Sequence, residues 1–292
     1  MTMSRVGILT QFGIRRAQSS QGTGVTSDTL DPAGWSESRL TVANLGHATL
    51  LMNWFGMRLI SDPTLFKRVG PSIGSLLTIG PRRRVERPLS PAKLQEIDIV
   101  LITHAHMDHL DLPSLAALNR GATVVAGQGC GALIRRLGFT DVRELGWGES
   151  TTVKEMRLEA MGARHWGVRW PPFGNAYGYN SYLLERRGVR MLLACDSAYT
   201  EMFAPVGQRP PDIAAFSIAA YDPWIRHHAD PEQVWQMFRK TGARYLIPIH
   251  WGTFRLSREP MEEPMRRLLA AAGPEADRVL LRRIGVAWSL PK

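Results

Sequence analysis

The sequence predicts a single α/β domain in which two sheets are covered by helices. Three observations lead there. Short β-branched and aliphatic runs alternate with segments of helical period, no internal repeat or low-complexity tract follows the first 38 residues, and ligand-type side chains stand at the ends of several apolar runs. Length agrees, because 292 residues with 44% hydrophobic content can bury a full core.

Residues 1–38 are rich in Ser, Thr, Gly and Asp and read as a flexible arm, which leaves 39–292 as the folded domain. Regular pattern begins with RLTVANL (39–45), ATLLMNW (48–54), MRLISD (57–62) and DIVLITH (98–104), each bounded by Gly, Asp or Pro. Such runs suit a sheet entered through antiparallel strands. A helix is expected near 112–120, a strand at 122–126, a helix at 129–137, then strands near 156–161, 179–185 and 189–195. The remainder predicts a helix over 231–241, opened by Asp230 as N-cap and Pro231 as first helical residue. A strand at 243–249, a helix around 261–272 and closing strands after Arg278 complete the order. Two irregular stretches, 66–88 and 166–179, exceed the roughly 12–15 residues beyond which a structureless loop usually has a function.

Thirty-six Lys plus Arg against 26 Asp plus Glu leave a net charge of +10. That surplus suits anionic partners such as phosphates, nucleic acid or acidic lipid, and equally suits plain solubility. No stretch approaches the roughly 18 consecutive apolar residues of a membrane-spanning helix, and the first apolar run breaks at Thr10 and Gln11. A cytoplasmic protein is expected, with peripheral contact at the inner face of the membrane left open. Cys130 and Cys195 form no CxxC pair and are expected as reduced core residues.

The chemistry-bearing segment is Thr103-His104-Ala105-His106-Met107-Asp108-His109, which follows the apolar run DIVLI. His104, His106, Asp108 and His109 exceed what one open metal position needs and fall short of two. Further donors must come from elsewhere. His165, Asp196 and His250 each end a strand-like run, which makes enough donors for two adjacent metals sharing a carboxylate. Imidazole and carboxylate suit zinc, and also accept iron or manganese.

These residues carry a resemblance. HxHxDH, matched by His104, His106, Asp108 and His109 and followed in order by His165, Asp196 and His250, resembles the metallo-β-lactamase superfamily. Within it the chain looks like the branch of N-acylphosphatidylethanolamine-hydrolysing phospholipase D and its bacterial relatives. The matching segments are GHATLL (46–51), SDP (61–63), GPRR (80–83), HMDHLD (106–111), AYDPW (220–224), HADPE (228–232) and IHWGTF (249–254). The resemblance implies an αββα sandwich of two mixed sheets flanked by helices, with a dinuclear site at the sheet edge. It also implies that His104, His106 and His165 hold one metal, that Asp108, His109 and His250 hold the other, and that Asp196 bridges them. A homodimer is implied by the resemblance alone. Met107 replaces an expected aromatic residue and CDSAY (195–199) replaces the usual DTGY, departures that bear on substrate fit and remove no ligand.

Two adjacent metals favour hydrolysis, since they activate water and neutralise charge on attacking and leaving oxygens. The resemblance implies that the reaction is a phospholipase D-like cleavage of N-acylphosphatidylethanolamine to N-acylethanolamine and phosphatidic acid. Asp108 is expected to orient the attacking oxygen, and the resemblance, through HADPE, points to His228 as a protonated general acid. His47 reads as a tight-turn residue beneath the site, Asp62 as an acceptor supporting the ligand loop or as a turn residue. The stretch 66–88 mixes Ile73, Leu76, Leu77 and Ile79 with Lys67, Arg68, Arg82, Arg83, Arg84 and Arg87, as a bilayer-docking loop or a solvated one does. Trp166, Trp170, Phe173, Tyr177 and Tyr179 are expected to line a substrate groove or to pack in the core. The rival functions are a soluble lactonase or esterase and a nucleic-acid phosphodiesterase of the same fold. The nuclease is disfavoured because the aromatics do not interleave with Lys and Arg.

Overall fold

The structure, a computed structural model, describes residues 25–27, 30–73, 77–169 and 176–291. Residues 1–24 and 28–29 of the expected arm lie outside these, as do Leu76, Trp170 and Phe173.

In chain order the strands are β1 (Val25–Ser27), β2 (Leu40–Gly46), β3 (Thr49–Trp54), β4 (Met57–Ser61), β5 (Ser72–Ile73), β6 (Leu77–Thr78), β7 (Ile99–Ile102) and β8 (Thr123–Gly127). They continue with β9 (Val142–Leu145), β10 (Ser150–Val153), β11 (Met156–Met161), β12 (Ser181–Arg186), β13 (Val189–Leu193), β14 (Ile213–Ser217), β15 (Tyr245–Ile249) and β16 (Ala287–Ser289). The α-helices are α1 (Leu112–Ala116), α2 (Gly131–Arg135), α3 (Pro231–Thr241) and α4 (Glu263–Ala272). One mixed sheet runs β1-β16-β2-β3-β4-β7-β8-β9, the other β10-β11-β12-β13-β14-β15, and β5 pairs with β6 alone.

Period-2 alternation explains the layers. Ile99 and Leu101 of β7 join Leu158, Leu184, Met191 and Ile247 of the second sheet in the core between the sheets. Val100 and Ile102 face the other way, onto Leu115 of α1 and Ile134 of α2. The outer face of the second sheet, with Leu192, Ala214 and Leu246, packs on Val234 and Phe238 of α3 and Leu268 of α4. The result is the αββα sandwich expected from the resemblance, buried on both faces of each sheet.

Strand direction then places the site. In the first sheet β3 is antiparallel to β2 and β4, and β7 is parallel to β4, so β2, β4 and β7 all run one way. In the second sheet β11, β13, β14 and β15 share one direction for the same reason. Residues that follow these strands therefore gather at one end of the sandwich, where open α/β sheets bind ligands.

Several boundaries differ from expectation. Val25–Ser27, within the segment read as an arm, pairs antiparallel with β16, and Leu30 is buried. Regular structure therefore starts before Arg39. The helix expected over 112–120 stops at Ala116, and the Arg120 guanidinium satisfies the carbonyls of Leu115, Ala116 and Leu118 at its end. The helix expected over 129–137 spans only Gly131–Arg135, and Arg278 is followed by one strand, β16. Strands β9 and β10 carry charged or hydroxyl residues at exposed sheet margins, and β14 reads IAAFS. β9 and β14 lack β-branched patterning and the β-branched β10 is only four residues long, so sequence periodicity missed them. The 66–88 stretch is a hairpin built on β5 and β6. Gly70 and Gly80 face one another there, and a Cβ on either would meet a carbonyl oxygen of the opposite strand at 2.2 Å. By contrast α3 starts as expected, with the Asp230 carboxylate accepting from Gln233 N at 2.9 Å in a capping box.

Leu184 is fully buried between the sheets, paired with Leu158 and Met191. Leu184→Ala is expected to cost about 2–5 kcal/mol, read as a lower denaturant midpoint at an unchanged slope; a shift under about 1 kcal/mol would place this position outside the load of the sandwich core.

Candidate metal centre

Six strand ends and one turn supply the site. Asp62 follows β4, Thr103 to His109 follow β7, His165 lies beyond β11, Asp196 beyond β13, and His250 follows β15. His228 comes from the β14–α3 connection, and His47 from the β2–β3 turn. Left-handed backbone at His47, Asp62, Cys195, Ala220 and His250, with φ between 35° and 66°, is unusual for non-glycine residues and concentrates at these strand ends.

The seven residues expected as ligands fall into two adjacent groups. His104 Nε2 lies 2.8 Å from His106 Nδ1, and His165 Nε2 lies 3.2 Å from each. Tetrahedral bonding at 2.0–2.1 Å places donor atoms about 3.3 Å apart, so this spacing suits one ion held by three nitrogens. In the second group Asp108 Oδ2 is 3.3 Å from His250 Nε2 and 3.7 Å from His109 Nε2. Between the groups stands Asp196. Its Oδ2 is 3.0 Å from His109 Nε2, 3.2 Å from His250 Nε2 and 4.0 Å from both His104 Nε2 and His165 Nε2.

Surrounding hydrogen bonds set which nitrogen each ring offers. The Thr103 hydroxyl donates to Asp62 Oδ2 at 2.6 Å, so His104 Nδ1, 3.0 Å away, is the donor to Thr103 Oγ1 and Nε2 keeps its lone pair. His165 Nδ1 donates to the His227 carbonyl at 3.1 Å, and His109 Nδ1 to Asp62 Oδ2 at 2.8 Å. Both rings thereby turn Nε2 inward, the carboxylate-histidine arrangement that orients metal ligands. His109 Nε2 is buried and makes no hydrogen bond, an orphan that an ion would satisfy. Ser217 Oγ donates to the other oxygen of Asp196.

Electrostatics point the same way. Burial, reinforced by neighbouring histidines, pushes His104 well below the usual histidine range; burial also lowers His106 and carries His165 well down. These rings are neutral donors. Burial opposes charge on Asp108 and Asp196, yet the adjacent histidines, His109 foremost for Asp108 and His250 for Asp196, hold both well below the carboxylate range. Burial also opposes a charged His109, but Asp196, Cys195 and Asp108 raise it well above its ordinary value. The centre thus draws positive charge, and a metal competes with that proton for the same lone pair.

The structure also brings in residues that sequence reasoning undervalued. His47 Nε2 lies 3.1 Å from Asp108 Oδ2. Cys195, expected as plain core, donates its thiol to Thr103 Oγ1 at 2.8 Å. Arg169 Nη1 donates to the carbonyls of Ala105 and Leu110 at 2.7 and 2.9 Å and so braces the ligand loop. Its place in an irregular stretch with no motif gave no signal. His228 does sit at the site, its Nδ1 3.9 Å from Asp196 Oδ2. Burial pushes it down to about 4, however, against the pull of Asp196. That shift favours the neutral imidazole over the protonated acid expected of it. Of the aromatic residues, Trp166 packs on His106, His165 and His227 with ring centroids 4.1–4.8 Å away, while Trp147 Nε1 donates to the Tyr179 carbonyl at 2.7 Å.

Residues 69–251 match the beta-lactamase superfamily domain. The chain belongs to that superfamily. Its sandwich is the metallo-β-lactamase fold, shared with an isothiocyanate hydrolase from Delia radicum gut bacteria at TM-score 0.65 and 18% identity, over 82% of this chain and 95% of that one. An uncharacterised protein of Mycobacterium tuberculosis is 35% identical over 248 residues, 82% of this chain and 65% of that protein. A superfamily relative from Caenorhabditis elegans, named N-acyl-phosphatidylethanolamine-hydrolyzing phospholipase D 1, is 30% identical over 241 residues, 75% of this chain and 65% of the relative. The chain therefore spans 65% of the length of these two relatives.

Asp196→Ala is expected to lose both metals and His106→Ala one, measured as metal per chain by elemental analysis. Chelation of the wild type is expected to lower its Tm, because an ion present at 100 times its Kd contributes about 2.7 kcal/mol. A Tm indifferent to chelator would refute the metal reading.

Proposed function

We propose that this chain is a metal-dependent hydrolase of phospholipase D type, acting on N-acylphosphatidylethanolamine to release N-acylethanolamine and leave phosphatidic acid. The observation that carries the hydrolase reading is the convergence of two groups of three donors, four of whose imidazole nitrogens lie within 4.0 Å of Asp196 Oδ2. His104, His106 and His165 would hold one ion, Asp108, His109 and His250 the other, with zinc the metal these donors suit. Such a pair supplies Lewis acidity and activates water.

The protein's own groups divide the remaining work. Asp108 is the carboxylate open to the cleft, its side chain 19% exposed against 1% for Asp196. Ionised, it accepts the proton of an attacking water. His228, neutral and beside Asp196, donates a hydrogen bond to oxygens on which charge develops. Trp166 closes one wall over His106 and His165 and limits water there.

The lipid substrate is supported by the relative from C. elegans and by the surface around the centre. Trp224 and Ile225, on the connection that carries His228, are 48% and 42% exposed, and Trp147 and Val168 are similarly open. Exposed aromatic and aliphatic side chains beside a polar centre suit an amphiphile presented at a bilayer. On the 66–88 hairpin, Phe66, Leu77 and Ile79 are exposed. Phe66 and Leu77, with Lys67, Arg68 and Arg87, line a cleft of about 760 Å³, a mixture suited to an anionic membrane. Among the described residues no helix is long and apolar enough to cross one.

Turnover of N-acylphosphatidylethanolamine vesicles, compared with soluble bis(p-nitrophenyl) phosphate, tests the reading. Strong vesicle turnover is expected, and His228→Ala is expected to lower kcat about 10²-fold at unchanged metal content. Activity confined to soluble esters would discard the lipid substrate and favour a lactonase or esterase of the same fold.

A further inference from the structure

The turn Gly46-His47-Ala48 reaches the metal centre from the far side of Asp108, and the ligand set above does not use its histidine. His47 is nevertheless 1% exposed, with φ of 56°. A buried imidazole on left-handed backbone is costly unless its polar atoms are engaged. Every contact of this turn that bears on the centre falls on one group of donors. His47 Nε2 lies 3.1 Å from Asp108 Oδ2, its carbonyl accepts from His250 N at 2.9 Å, and its ring is 4.1 Å from that of His250 and 5.3 Å from that of His109.

The turn is itself held firmly. His47 N donates to Thr253 Oγ1 at 2.6 Å, and Gly46 N donates to Asn44 Oδ1 at 2.8 Å. At Gly46, with φ of 105°, a Cβ would meet Arg83 Nη1 at 2.6 Å and Thr253 Oγ1 at 3.0 Å. Glycine is required there. The backbone thus presents the His47 ring in one place, and a carboxylate facing it accepts, so the proton of the pair sits on His47 Nε2.

We propose that His47 is a positioning residue for one metal position of the pair: its Nε2–H holds Asp108 Oδ2 where that oxygen faces His109 and His250, while its carbonyl fixes the peptide bearing His250. This rests on the metal reading above and adds an asymmetry to it. The group of His104, His106 and His165 is braced from elsewhere, by Thr103 and the His227 carbonyl. Loss of the His47 donor therefore weakens one ion and spares the other.

The test compares wild type, His47→Ala, His47→Asn and His47→Gln, each loaded with zinc, dialysed against a competing chelator and assayed for metal per chain. Cobalt titration followed by its visible absorption gives the two affinities, and the Tm of each metal-free protein reports folding. Wild type is expected to keep two ions. His47→Ala and His47→Asn, whose shorter amide cannot reach Asp108, are expected to keep one and to bind the second about 10–100-fold more weakly. His47→Gln, whose amide N–H donates from nearly the same place and is a poor metal ligand, is expected to restore the second ion to within a few-fold. Two tightly held ions in Ala and Asn would overturn the proposal. So would a Gln variant as weak as Ala, which would make His47 a ligand in its own right. A wild type that binds no metal would instead sink the metal reading, before any variant is compared.

Discussion

Electron-pair donors packed about 3 Å apart are the constraint on which the rest of this structure depends. His104, His106 and His165 bring three nitrogens within 3.2 Å of one another, and Asp196 Oδ2 stands within 4.0 Å of five imidazole nitrogens. Without a cation, such lone pairs in a buried setting repel or leave polar atoms unsatisfied, and each unsatisfied atom costs about 1–3 kcal/mol. The fold holds them there against that cost. It does so through a sandwich core that fixes the strands, and through strand directions that bring seven ends to one place.

Around the donors lies a layer that decides their orientation. Asp62 accepts from Thr103 N, Thr103 Oγ1 and His109 Nδ1, so one buried carboxylate sets the tautomer of two ligand rings, directly for His109 and through the Thr103 hydroxyl for His104. Ser217 Oγ donates to Asp196 Oδ1 and so orients that carboxylate, and Arg169 ties down the loop between Ala105 and Leu110. CDSAY in place of DTGY leaves the Asp196 carboxylate in place, with Ser197 Oγ accepting from Arg164 N at 2.9 Å and Ala198 N donating to the Arg164 carbonyl at 2.9 Å. Cys195 is small, buried and hydrogen-bonded to Thr103, and Asp196 keeps its place at the strand end.

Function at this centre depends on a contrast of environments. The donors are buried and their protonation is governed by one another, whereas Trp224, Ile225 and Trp147 lie open beside them. His228 shows the consequence. The resemblance implied a titrating acid there, whereas burial favours the uncharged ring, which can still donate a hydrogen bond.

The sequence by itself determined the αββα class and the seven ligand-type residues, because HxHxDH is dense and local and because apolar runs such as DIVLI declare buried strands. It also determined the start of α3, since Asp230, Pro231 and Gln233 cap a helix through contacts only three residues apart. What only the tertiary structure decided depends on contacts across the chain. The strand β14, written in alanines, exists because β13 and β15 pair with it. The carbonyls at the early end of α1 are taken up by the side chain of Arg120, and the environment of His228 comes from its burial beside Asp196. His47 looked like a turn residue because its partners, Asp108 and His250, are 61 and 203 positions away; no periodicity or local motif records an interaction made at that separation.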